Sequence, residues 1–247
     1  RIHLLALLEQ GWRHSSESVQ FLALQWAYSV CAHGKVTIRL IEADVSRDVF
    51  WEHLRRRIGS PDGLLRFFAL RTCLRCVKSS RLLEERTLAS REWCTLLVAR
   101  LVDVEPVNIH LAADTLCWMT DRNRSACERL HSTFSVIPPC VDGLEYLITL
   151  FAREGQDEGT PASPGTLPIP DCAQASLSLF RLLNHLCGEI PSLARDLLER
   201  YQLPSLAHLL VHHLKERDQD HSLGDTLQEL QVQLATLGIP SASSQPP

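Results

Sequence analysis

Apolar side chains, leucine above all, recur along this chain at three- and four-residue steps, and the strict alternation of a half-buried strand is almost absent. Such a stripe can be buried as a unit only if the backbone winds once in about 3.6 residues, which brings positions i, i+3, i+4 and i+7 to one side. An all-α fold is therefore expected. The pattern is carried by residues 17–32, 46–58, 64–78, 90–102, 108–120, 144–153, 173–187, 193–201, 205–217 and 223–237. Residues 36–41, Val-Thr-Ile-Arg-Leu-Ile, come nearest to a strand, but they run straight into Glu42 and Asp44 and read as a short helix or an extended connector. Residues 2–8 already read as the middle of a helix, so the chain is expected to be a segment of a larger protein.

Punctuation between these segments is ordinary in one place and unusual in another. In Ser60-Pro61-Asp62 the serine is expected to cap the next helix, the proline to fill its first position, where no N–H acceptor exists, and the aspartate to complement the dipole. Residues 155–171 contain Pro161, Pro164, Pro168 and Pro170 with Gly155, Gly159 and Gly165, which can neither sustain a helix nor bury much apolar surface. A flexible insertion is predicted there, and a disordered tail at 240–247. No apolar run approaches the roughly 18 residues of a membrane span, and no charged-then-apolar leader ends in a cleavage site, so no membrane partner is expected. The cysteines are nine, an odd number, and sit inside apolar helical patterns. Reduced, buried thiols of the cytosol or nucleus account for them.

The helices also recur as a set. Apolar helices centred near residues 26, 71 and 114 are about 44 residues apart, each followed by a second helix, and a fourth near 180 is displaced by the proline-rich insertion. Within that period Ala112-Ala113-Asp-Thr-Leu116-Cys-Trp118-Met-Thr-Asp-Arg-Asn123 resembles the middle helix of an armadillo repeat. Asp142-Gly143-Leu144-Glu-Tyr-Leu147-Ile-Thr-Leu150-Phe151 resembles the glycine-led third helix, and Leu203-Pro204-Ser-Leu206-Ala-His-Leu209-Leu210 is similar again. The resemblance to the armadillo/HEAT family covers most of residues 17–217 loosely and 108–151 and 172–214 in detail. It implies an α-solenoid: repeats over 1–154, the insertion 155–171, more repeats over 172–239 and the tail 240–247. It also implies a scaffold that holds partners on long, shallow surfaces.

Motifs that would carry catalysis are missing. Cys73-x-x-Cys76 places two thiols on one helical face, but a structural zinc site needs four ligands and no second pair stands at finger-like spacing. His208 and His212 also share a face, yet Leu209 stands where a zinc hydrolase carries its glutamate, and His213 points elsewhere. No nucleophile elbow, phosphate loop or dinucleotide turn occurs. No catalytic, cofactor-binding or metal-binding residue is assigned, and the chain is not expected to be an enzyme.

Charge is where the sequence points to a partner. Residues 53–81 hold eight basic residues against Asp62 alone, a local excess of +7 in a chain of net charge −4. Arg71, Arg75 and Lys78 fall at i, i+4 and i+7, one exposed stripe, opposite Phe67, Leu70, Leu74 and Val77 as the buried one. Arg55, Arg56 and Arg57 end the preceding helix, where positive charge offsets the dipole. The bland alternative is a solvated face paired with Glu84 and Glu85. These six cations are the candidate partner-binding residues; acidic protein surfaces are the expected partner and nucleic-acid backbone the alternative, as in chromosome-associated repair or meiotic factors. The arginines favour the nucleus over the cytoplasm.

Overall fold

The computed structural model of the chain describes residues 2–33, 38, 39, 41, 42, 49–154, 169–218 and 222–239, and all regular structure among them is helical. The helices with described ends are α1 (Ile2–Arg13), α2 (Glu17–His33), α3 (Val49–Ile58), α4 (Gly63–Ser79), α5 (Arg81–Ala89), α6 (Arg91–Ala99), α7 (Pro106–Thr120), α8 (Arg124–Phe134), α9 (Ile137–Glu154), α10 (Ile169–Glu189), α11 (Ser192–Glu199), α12 (Leu203–Arg217) and α13 (Gly224–Thr236). A 3₁₀ turn, Arg100–Val102, follows α6.

Several boundaries differ from the sequence expectation, for physical reasons. Asp62, not Ser60, caps α4: its carboxylate accepts from Leu64 N–H at 2.8 Å and Leu65 N–H at 3.0 Å, while Ser60 Oγ accepts from Asp62 N–H. Helices α5 and α8 were not expected, although Ser80 and Asn123 cap them in the usual way, accepting from Leu83 N–H and Ala126 N–H. The seven prolines among the described residues all lie at or just before a helix's first turn. Pro138 and Pro139 therefore open α9 well before residue 144, and Ile169, Pro170 and Asp171 belong to α10 instead of the expected insertion. The remainder of that insertion, 155–168, lies outside the described residues, as do 36, 37 and 40 of the expected connector and the tail 240–247.

The chain divides into two compact units, Arg1–Val98 and Ala99–Pro247. In the first, Gly11 of α1 lies so near α2 that a Cβ there would sit 2.7 Å from that of Ala23. Helix α4 packs against α2, α3 and α5. Aromatic rings fill the rest of this core, with Trp12 edge-on to Phe50 at 5.0 Å and Trp51 stacked on Trp93 at 4.7 Å.

In the second unit α10 touches every other helix, so the chain on both sides of 155–168 shares one core. Helices α7 and α10 are buried on nearly all sides, and small residues, Ala112, Ala113, Ala175, Ser176 and Ser178, are completely covered. Buried hydroxyls meet carbonyls one turn back, Thr115 to Leu111 and Ser176 to Cys172. Gly143 was expected to lead its helix but lies inside α9. A Cβ there would come within 2.3 Å of the Leu101 carbonyl oxygen, so the missing side chain is what lets the 3₁₀ turn lie against α9. Among the described residues no single helix is long and apolar enough to cross a membrane.

Candidate functional site

The stripe predicted on α4 exists, and its surroundings were not foreseen. Arg71, Arg75 and Lys78 are exposed, while Leu70 and Val77 are buried and Phe67 and Leu74 are only half covered. The contacts with α2 run instead through Phe68, Arg71, Arg75 and Cys76. Phe21 of α2 meets Phe68 edge-on at 5.1 Å, and Phe67 and Phe68 touch edge-on at 4.9 Å. The guanidinium of Arg71 lies 4.3 Å from the centre of the Tyr28 ring and 5.6 Å from that of Phe67, where the negative ring faces attract it. Arg75 donates from Nη2 to the Ala32 carbonyl at 2.9 Å. That oxygen belongs to the last turn of α2, where carbonyls lack a helical N–H and the dipole favours a cation.

Two arginines are thus held in place by the helix beside them. Leu64, two turns before Arg71 on the same face of α4, is exposed by 61 %, while the exposed Leu22 and Trp26 lie about 120° and 160° round α2 from Tyr28. The sequence of α4 has no acidic residue and that of α2 only Glu17. The seam is therefore basic and aromatic, with one exposed apolar side chain, Leu64, two turns away along α4. Glu85 is engaged by Arg81 at 2.9 Å.

The three arginines of α3 do not extend this face. Consecutive residues of a helix point about 100° apart, so the three do not share one face. Arg55 grips both oxygens of Glu52 through Nε and Nη2 at 2.8 and 2.7 Å, Arg56 adds a bond to Glu52 at 3.1 Å, and Arg57 reaches the Trp12 carbonyl at 3.3 Å. The hydrogen bond from Arg55 holds the Glu52 carboxyl below its ordinary value, and Glu52 in turn raises Arg55. Arg55 also lines a hollow of about 240 Å³ with Trp51, Trp93, Arg86 and Glu92. Between these arginines sits His53, half-buried, whose pKa is lowered first by burial and then by Arg56, Arg13 and Arg57.

The other sequence candidates fall elsewhere. Cys73 and Cys76 are completely buried, and burial pushes the Cys73 thiol up; Cys76 is pushed up first by its contact with Cys31 of α2 and then by burial. His212 and His213 both turn to Glu216, at 3.3 and 3.7 Å. His208 lines a groove of about 550 Å³ between α12 and α13, together with Val211, Lys215, Gln231, Val232 and Leu234. Among the described residues no three His, Cys, Asp or Glu side chains are placed to hold a metal ion.

One grouping looks like chemistry and is not arranged for it. Ser178 Oγ donates to Asp114 Oδ1 at 2.9 Å, and His110 Nδ1 stands 2.7 Å from the same hydroxyl. A carboxylate only accepts, so the one serine proton goes to Asp114 and the imidazole must donate. A nucleophilic serine needs the reverse, an imidazole that takes its proton. Ser178 is also completely buried, so the trio ties α7 to α10.

No family model matches the sequence, and no curated protein matches it. The crystal structure of an engineered protein aligns with 94 % of this chain and 95 % of its own, at 13 % identity and a TM-score of 0.47.

Proposed function

We propose that the chain is a non-catalytic, armadillo-type scaffold segment of an intracellular protein, and that its α2/α4 seam docks an acidic, partly apolar segment of a partner protein. The observation that carries this reading is the pair of arginines fixed on α2. A guanidinium already ordered over Tyr28 and another bonded to Ala32 lose little freedom when a carboxylate arrives, and the exposed Leu64, two turns earlier on the same face of α4, offers apolar contact along the seam.

The spacing of contacts supports the repeat. Arg57 to Trp12 and Cys76 to Cys31 span 45 residues, Arg75 to Ala32 spans 43 and Tyr146 to Val104 spans 42, close to the period of about 44 in the apolar pattern. In a repeat array a residue meets its counterpart one repeat away. Nine cysteines without a disulfide among them support an intracellular setting, and the basic seam fits the nucleus as well as the cytoplasm.

The test uses defined probes. A fluorescent peptide of alternating glutamate and leucine and a fluorescent duplex oligonucleotide are titrated with the whole chain at two salt concentrations. The peptide is expected to bind, and Arg71→Gln with Arg75→Gln to weaken it roughly tenfold. Preferential binding of the duplex, with a log–log salt slope of about −0.9 per phosphate contacted, would instead favour a nucleic-acid backbone. Binding of neither would sink the docking reading.

A further inference from the structure

Beneath the seam, the sulfurs of Cys31 and Cys76 lie 3.9 Å apart, one on α2 and the other on α4, exposed by 2 % and 0 %. We propose that these two thiols form a redox-sensitive pair, which a peroxide converts to a disulfide that fastens α2 to α4.

The geometry needs little adjustment. A disulfide has an S–S length of about 2.05 Å, so the sulfurs must close by roughly 2 Å, within reach of small side-chain rotations. Each cysteine is the chain neighbour of a residue in the Arg75–Ala32 hydrogen bond, which already holds the two helices together at this level. A bond between helices restricts both, whereas one between Cys73 and Cys76 would join successive turns of α4 and restrict neither helix against the other.

The chemistry balances with the peroxide as the sole co-reactant. One thiol loses its proton and its sulfur attacks a peroxide oxygen; the O–O bond breaks, leaving a sulfenic acid and a hydroxide that takes up the proton as water. The second sulfur then attacks the first, the S–S bond forms, and the S–O bond breaks, releasing a second hydroxide that takes the second thiol's proton. Two thiols and one hydrogen peroxide give one disulfide and two waters, the sulfurs losing two electrons and the peroxide gaining them. The contact with Cys31 and then burial push the Cys76 thiol up, so the first step waits for the helices to part locally. The finished bond is sheltered from reductants for the same reason. Oxidation is thus slow to set and slow to undo.

The bond stands or falls independently of docking, because its test reads sulfur connectivity and not binding. The reduced whole chain is treated with hydrogen peroxide, digested without reductant and analysed by mass spectrometry, with thermal melting in parallel. A peptide linked through Cys31 and Cys76 is expected. The oxidised chain should melt on the order of 10 °C higher, as expected when a cross-link closes a long loop, and dithiothreitol should return it to the starting value. The Cys31→Ala chain should show no rise, whereas Cys187→Ala, altered at a half-buried cysteine elsewhere, should behave as wild type. A Cys73–Cys76 link, sulfinic acid at either position, or a linked chain that melts lower would overturn the proposal. If Cys31→Ala does not fold, the linkage map and the reversible rise in the wild-type chain decide it.

Discussion

Helices α2 and α4 meet at their outer edge through rings and arginines that stay partly in water, whereas the polar tie between α7 and α10 centres on a hydroxyl that water does not reach. Arg71 over Tyr28 and Arg75 on Ala32 join the first pair, and Ser178 between His110 and Asp114 joins the second. The first contact leaves charge and aromatic surface on display; the second leaves almost none, because Ala112, Ala113, Ala175 and Ser176 are entirely covered. A buried polar tie must be fully satisfied, since an unmet partner costs about 1–3 kcal/mol. An exposed tie can be broken cheaply and remade with something else. That difference is the reason docking is proposed at α2/α4, with α7/α10 as the frame of its own unit.

The largest expected effect is on the frame. Phe180→Ala in α10 should lower stability by about 3–5 kcal/mol, while Phe68→Ala in α4, half in water, should cost roughly half as much. Urea denaturation of both would measure the contrast, and equal losses would abolish it. Gly143→Ala comes next, at about 2–3 kcal/mol, because its Cβ would press on the backbone carbonyl of Leu101 and crowd Leu179 Cδ1 at 3.3 Å. An unchanged denaturation midpoint would mean that the 3₁₀ turn gives way freely.

Ser178→Ala should cost about 1–2 kcal/mol, as it removes a buried hydroxyl that bonds to both Asp114 and His110. The matching change on the exposed pair, Arg75→Gln, should cost only about 0.5–1 kcal/mol, typical of a cation at a helix C-terminus. If Arg75→Gln proved the more damaging, α2/α4 would belong to the frame too. Reversal of Arg71, Arg75 and Lys78 to glutamate should destabilise more than three ordinary surface changes, because it sets a carboxylate against the Ala32 carbonyl.

The smallest expected effect is on pH dependence. The pKa of His53 is lowered in the fold below its unfolded value of about 6.5, so the folded state favours the neutral ring. Its contribution is complete above that value and shrinks as the pH falls, since the unfolded chain then binds more protons. Melting temperatures between pH 7.5 and 5.5 should therefore fall less in His53→Asn than in the wild type. Glu52 behaves similarly at lower pH: its carboxyl sits below about 4.3, and what it contributes is lost only as the pH falls through that lowered value.

Long helices were legible in the sequence because apolar periodicity accumulates over several turns; residues 17–32 and 64–78 differ from α2 and α4 by a residue at each end at most. Helix α5 has only nine residues and buries just Leu83 and Thr87 from its own length, too few to establish a period. Its capping serine was the available signal. Prolines misled at residues 138, 139 and 170 because the same residue that ends a helix suits its first turn. Exposure of Arg71, Arg75 and Lys78 follows from spacing on one helix and was foreseen. Their attachment to Tyr28 and Ala32 was not, since no local pattern says which helix lies alongside. The interval of about 44 residues was the hidden clue, for it places residues 71 and 75 opposite 27 and 31.

That interval also sets a clock for synthesis. A ribosome extends a chain by roughly 5–20 residues per second, so the half of a contact that lies 45 residues downstream emerges about 2–9 s after the first. For those seconds the side of α2 that α4 will cover, with Leu24, Ala27 and Cys31 upon it, stands open on the nascent chain. Helix α2 thus waits for a neighbour that follows within about 45 residues and not for the whole chain, which keeps its exposed stretch short and the need for a chaperone brief.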